Sequence, residues 1–179
     1  MVATTVVRSK GMDSSGEDLR DHIIELLPRL RRFARSLARN TQDADDLVQI
    51  TAERALAHAG QLRPDHSVAG WLFGILRNAW IDEGRSRRRR ESLLEPEDIA
   101  ERVGDPAAAA DQELLCLQDA LSRLPEEQHL AVALVLIEGF SYKEAASIMG
   151  VPVGTLTSRL ARGREALQSV LSETSGAPS

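Results

Sequence analysis

Apolar residues recur along most of the chain at steps of three and four, the spacing that gives an α-helix one buried face. Leu19, Ile23, Leu26, Leu27, Leu30, Phe33, Ala34 and Leu37 form the first such stripe. Pro28 lies inside it and predicts a kink or a boundary between two helices, because proline lacks the N–H its turn would use. Asn40-Thr41 ends this element. The next helix is predicted from Thr41–Asp43 to about His58, with acids in its first turn, where the helix dipole is positive. Gly60 to Gly70 is rich in Gly, Pro, Asp, His and Ser and predicts a loop. A long helix follows, from about Ala69 to Arg90. A second block carries helical patterns at about 111–123, 126–138, 141–149 and 153–171. The pattern therefore predicts an all-α protein of two small helical domains, 18–90 and 111–172, joined by a linker over 91–110. A loose polar arm over 1–17 and a tail over 173–179 complete the chain.

Composition agrees with this reading. The chain has 179 residues, 42% of them hydrophobic, with only 12 glycines and 7 prolines, too few for a turn-rich β-protein. One cysteine, Cys116, excludes an internal disulfide framework and a cysteine zinc site. Among Leu114, Leu115 and Leu117 it is expected to act as a small buried hydrophobe. No apolar stretch approaches the ~20 residues of a membrane helix. Arg8 and Lys10 precede no apolar segment of a signal peptide. The expected location is the cytoplasm, without membrane insertion.

The formal net charge of -5 hides a segregated layout. From Arg77 to Arg90, six arginines stand against Asp82 and Glu83; from Glu91 to Glu113, eight acids stand against Arg102 alone. A basic helix thus runs into an acidic linker. Within 91–110 a short helix near Pro96–Arg102 can form.

The most informative stretch is Ser141 to Leu160. Ser141 and Glu144 have the S-x-x-E spacing of a capping box, which satisfies backbone N–H groups at a helix start. Ala145 and Ala146 permit close crossing by another helix. Gly150 supplies a left-handed stop, Val151 and Val153 are expected to plug the space between the helices, and Pro152 fits a turn or a first helical turn. The second helix turns Leu156, Leu160, Leu167 and Leu171 inward, with Gly163 near that face. Thr157, Ser158, Ala161, Arg162 and Glu165 face outward, flanked by Thr155 and Arg159. Hydroxyls and guanidiniums on the first turns of an exposed helix can reach base edges and phosphates in a major groove. An ordinary helical hairpin with a solvated face is the alternative.

Two further helices carry candidate surfaces. In the second helix Asp46, Gln49, Ile50 and Glu53 share an outer face, and an isoleucine in an acidic stripe suits either a partner surface or internal packing. In the third, Leu72, Ile75, Leu76 and Ala79 form the core face, while Trp71, Asn78, Asp82 and Arg85 follow one edge. Trp71, Phe73 and Trp80 are half of the six aromatics of the chain. Aromatic surface beside an amide and arginines suits single-stranded DNA. Core packing competes with that role for Phe73 and Trp80.

These segments resemble the extracytoplasmic-function (ECF) sigma factors of the sigma-70 family. Leu124–Gln128, Glu138–Ala146, Gly150–Leu160 and Arg162-Gly-Arg164 are similar to the family's fourth conserved region. The resemblance implies reading of the promoter −35 element, with Thr157, Ser158, Ala161 and Arg162 facing bases and Thr155, Arg159 and Arg164 nearer the backbone. Asp45-Asp-Leu-Val-Gln49 is similar to the region that grips core RNA polymerase, which implies docking by Asp45, Asp46, Gln49, Ile50 and Glu53. Trp71, Leu72, Ile75, Arg77, Asn78, Asp82 and Arg85 match the family's W-L-x-x-I-x-R-N-x-x-x-D-x-x-R pattern. That match implies −10 recognition and melting by Trp71, Asn78, Asp82, Arg85 and Arg88, with the loop Gln61–Ala69 helping to capture a flipped base. The implied partners are core RNA polymerase, promoter DNA and an anti-sigma factor, with no cofactor. An extended linker of about 20 residues reaches roughly 65 Å, close to two turns of duplex at ~34 Å each.

Two other classes compete. A stand-alone helix-turn-helix regulator would bind palindromic DNA as a dimer without polymerase. A nucleic-acid enzyme is disfavoured, because His22, His58, His66 and His129 lack metal spacing and no phosphate-binding loop is present.

Overall fold

The computed structural model describes residues 16–38, 40–62, 67–91 and 118–175. The acidic linker, Cys116, the polar arm before residue 16 and the end of the tail lie outside these residues. Three helices make the N-terminal unit: α1 (Gly16–Leu37), α2 (Thr41–Ala57) and α3 (Val68–Glu91). A 3-10 turn, Ala59–Gln61, follows α2. In the C-terminal unit residues 118–122 are helical. They lead to α4 (Glu126–Val132), α5 (Tyr142–Met149) and α6 (Val153–Ser175). The described residues contain no strand.

Three helices, α2, α3 and α5, begin where a side chain replaces a missing backbone partner, whereas α4 starts after Pro125 with no side-chain cap. Asn40 Oδ1 accepts from the Asp43 N–H at 2.8 Å to start α2. Ser67 Oγ accepts from the Gly70 N–H at 2.9 Å to start α3. The first helix departs from expectation. Pro28 neither ends nor divides α1, which is helical from Gly16 to Leu37. Pro28 lies on the exposed side, and Ile24, whose carbonyl loses its partner, is 62% exposed, so water can satisfy that oxygen. Ile23 and Leu30, buried on either side of Pro28, anchor both halves of the helix.

The element expected over 126–138 also changes character. After α4 the chain widens into a π-helical turn, Ala133–Ile137. The Glu138 N–H donates to the Ala133 carbonyl at 3.0 Å, and Gly139 then takes a left-handed φ of 73°. Such turns re-aim the side chains that follow them. Here Glu138 ends inside the protein, with a side chain of 0% exposure.

The two units pack on one another, α3 against α5 and α1 against the π-helical turn. Their buried apolar residues form one continuous cluster. At the junction Phe73 of α3 contacts Phe33 of α1 and Phe140 before α5, with ring centroids 5.0 and 4.9 Å apart.

Candidate nucleic-acid interface

The helix-turn-helix forms as its local chemistry dictates. Ser141 Oγ accepts from the Glu144 N–H, and the Glu144 carboxylate accepts in return from the Ser141 N–H at 2.9 Å. The Ser141 hydroxyl also donates to that carboxylate at 2.6 Å, and this bond, with the one from the Ser141 N–H, holds the Glu144 carboxyl below its usual range. Gly150 ends α5 in the left-handed region at φ 66°. Leu156, Leu160 and Leu167 are buried beneath α6. Gly163 is buried where α6 meets α4, and a Cβ there would stand 2.8 Å from Val132 Cγ2. The opposite face of α6 presents Thr157, Ser158, Ala161, Arg162 and Arg164, all exposed.

At rest the two hydroxyls are turned back on the helix. Thr157 donates to the Val153 carbonyl at 2.9 Å and Ser158 to the Thr155 carbonyl at 3.0 Å. A rotation about χ1 frees either for a groove contact. Thr155 is half-buried. Arg159 is 22% exposed and pairs with Glu127 of α4 at 2.6 Å, which holds it beside the exposed residues of that face instead of among them.

A second surface lies on the N-terminal unit. Arg54, His58, Gln61, Trp71, Ile75 and Asn78 line a cleft of about 180 Å³. Asn78 is exposed there and Trp71 is half-buried. Asp82, next along that edge, pairs with Arg54 at 3.2 Å. Arg54 and His58 were not singled out by sequence reasoning, since nothing in the periodicity of α2 shows that its C-terminal end meets α3. Arg85 is exposed. Arg88 reaches the other way, to Glu126 of the C-terminal unit at 2.6 Å. The aromatic trio divides. Phe73 is fully buried, and Trp80 is half-buried, its indole N–H donating to the Leu37 carbonyl at 3.1 Å. Trp71 alone of the three lines the cleft.

The outer face of α2 is arranged as its wheel predicts. Asp45, Asp46, Gln49 and Glu53 are exposed, while Ile50 is half-buried and packs on the core. Gln42 donates to Asp46 at 3.2 Å and Gln49 to Glu53 at 2.9 Å, each one helical turn apart. Asp46 and Ile50 also line a cavity of about 390 Å³ between the two units, shared with Leu37, Trp80, Leu124 and His129.

Among the described residues no group of His, Cys, Asp or Glu is placed to hold a metal ion, and no helix is long and apolar enough to cross a membrane.

Comparison with known proteins accounts for both units. Residues 23–90 match the model of sigma-70 region 2, and residues 114–167 match that of sigma-70 region 4. The ECF RNA polymerase sigma factor EcfG of Rhodopseudomonas palustris is 41% identical over 155 residues, covering 87% of this chain and 86% of that protein. The sigma factor SigM of Mycobacterium tuberculosis is 38% identical over 142 residues, 79% of this chain and 71% of that one. Among solved structures, the sigma factor RpoE of Bartonella quintana, in complex with the anti-sigma factor NepR, superposes with a TM-score of 0.77 at 35% identity, covering 87% of this chain and 98% of that one. A region 2 match over the N-terminal unit is not accounted for by a stand-alone helix-turn-helix regulator. The chain belongs to the sigma-70 family of RNA polymerase specificity subunits, in its ECF group.

Proposed function

We propose that this sigma factor docks on core RNA polymerase through the α2 face of Asp45, Asp46, Gln49, Ile50 and Glu53 and reads its promoter with two separate surfaces. The start of α6 enters the −35 major groove. Thr157, Ser158, Ala161 and Arg162 meet base edges there, and Thr155, Arg159 and Arg164 approach phosphates. The cleft of Trp71 and Asn78 takes an unpaired base of the −10 element, stacked on the indole and hydrogen-bonded by the amide. Asp82, Arg85 and Arg88 extend that surface along the melted strand. Sigma factors are non-catalytic initiation factors, so nucleotide addition belongs to the polymerase. The RpoE structure contains the anti-sigma factor NepR, and CnrH was solved in complex with the cytosolic domain of CnrY. By extension, an anti-sigma factor restrains this chain as well.

The observation that carries the proposal is the exposed face of α6, supported from behind by the capping box, the Gly150 stop and the close approach at Gly163. Run-off transcription with core polymerase on genomic fragments tests it. Arg162→Ala is expected to weaken promoter binding, by about 1–3 kcal/mol if it reads a base. Asn78→Ala is expected to leave duplex binding intact and slow strand opening, read by permanganate footprinting. Wild-type transcription from both variants would refute these assignments.

A further inference from the structure

The cleft on the N-terminal unit holds an ion pair that recognition of a base does not use. Arg54, near the C-terminal end of α2, donates from Nη1 to Asp82 Oδ2 of α3 at 3.2 Å. Asp82 crosses to α2 for this bond, although Arg85 stands one turn further along its own helix. The chain is tied down where Arg54 leaves it. The His58 backbone N–H and ring Nδ1 both bond to the Arg54 carbonyl, at 3.0 and 2.9 Å. Arg77 Nη1 donates to Asn78 Oδ1 at 3.3 Å, which leaves the N–H groups of the Asn78 amide to a ligand.

These contacts divide the cleft by chemistry. Trp71, Ile75 and Asn78 supply apolar surface and one polar group, which suit a base. A flipped nucleotide also brings its phosphate, which stays at the mouth of the cleft because burying an unpaired charge is costly. Among the described residues lining the cleft, Arg54 carries the one permanent charge. Asp82 by itself would repel the strand. Because the pair uses Nη1, the guanidinium keeps Nε and Nη2 for a phosphate, and its planar fork matches that anion. The pair adds little to folding, with 44% and 58% of its side chains exposed.

We infer that Arg54 is the phosphate contact of the nucleotide held in this cleft, and that Asp82 acts through Arg54 as a positioning residue. The inference rests on the −10 reading proposed above and adds to it the group that fixes the backbone. Trp71 and Asn78 choose the base, while Arg54 holds the strand whatever the base is. Asp82 extends the surface by aiming that guanidinium and not by touching DNA.

Holoenzyme reconstituted from core polymerase and the full chain tests the assignment on a promoter fragment with a pre-opened −10 bubble. A methylphosphonate, which carries no charge, replaces in turn each phosphate beside the −10 bases. In the wild type one such replacement should weaken binding about tenfold. In Arg54→Gln the same replacement should cost nothing. On unmodified DNA that variant should bind about tenfold more weakly, with a salt slope shallower by about 0.7. Asp82→Asn gives a test of sign. Removing an acid beside DNA normally tightens binding, whereas losing the group that aims Arg54 weakens it. Arg54→Gln/Asp82→Asn should then bind no more weakly than Arg54→Gln alone. Equal methylphosphonate effects in the wild type and Arg54→Gln overturn the phosphate contact, and tighter binding by Asp82→Asn overturns its positioning role. The base pocket fails separately. If Asn78→Ala keeps the wild-type preference among −10 bases while Arg54→Gln loses its methylphosphonate effect, the strand contact stands and the earlier base assignment falls.

Discussion

Gly163→Ala offers a measurable test of how the recognition helix is seated. Replacing glycine by alanine inside a helix normally stabilises it by about 1 kcal/mol. At this position the new methyl group would lie 2.8 Å from Val132 Cγ2 and 3.3 Å from the Gln128 carbonyl oxygen. Val132 is 2% exposed and cannot swing into solvent, so α4 and α6 must move apart. Overfilling a packed site costs about 1–3 kcal/mol. Taking the middle of that range, the substitution should destabilise the protein by about 1 kcal/mol, or about 2–4 °C in Tm for a chain of this size. Urea unfolding followed by circular dichroism gives the value. Val132→Ala removes the nearest obstacle, so Gly163→Ala in that background should become neutral or stabilising, a coupling of about 1–2 kcal/mol. If Gly163→Ala stabilises the otherwise unaltered chain, or if the two sites prove additive, the close approach has been misjudged.

Two further predictions follow from backbone geometry and burial. Gly150 sits at φ 66° with open space around its Cβ position, so Gly150→Ala pays only the left-handed backbone penalty, about 1–2 kcal/mol. Gly150→Asn should cost less, and equal urea midpoints for the two variants would contradict the account. Burial pushes the His129 imidazole below its ordinary value of 6.5, against a smaller opposing effect of the Ser36 carbonyl. Because the folded state disfavours the proton, stability present above pH 6.5 should fall as the pH drops below it towards the depressed folded value. His129→Gln should remove that step from the urea midpoint measured between about pH 7.5 and 5.5, while a step of the same size in the variant would assign it to other groups.

What was legible in the sequence was what depends on neighbours in the sequence. Ser141 and Glu144 cap each other at a spacing of three, and Gly150 stops the helix they start, so the helix-turn-helix could be read directly. The inward face of α6 follows from leucines at helical spacing. Pro28 misled because its effect depends on which side of α1 meets water, and that is settled by α2 and α3. The aromatics of α3 posed the same difficulty, for composition cannot separate Phe73 in the core from Trp71 at a cleft. Least visible was Glu138. Its partners Arg29 and Arg32 lie more than 100 positions away, and the π-helical turn that carries it inward has no simple periodic signature.

The ring contact between the two units ties the upkeep of one to that of the other. Phe73 and Phe140 cover one another, so any lesion that loosens one unit bares an aromatic ring of the other. Apolar surface exposed in this way is what chaperones and proteases take hold of, so damage confined to either half of the chain should shorten the survival of the whole.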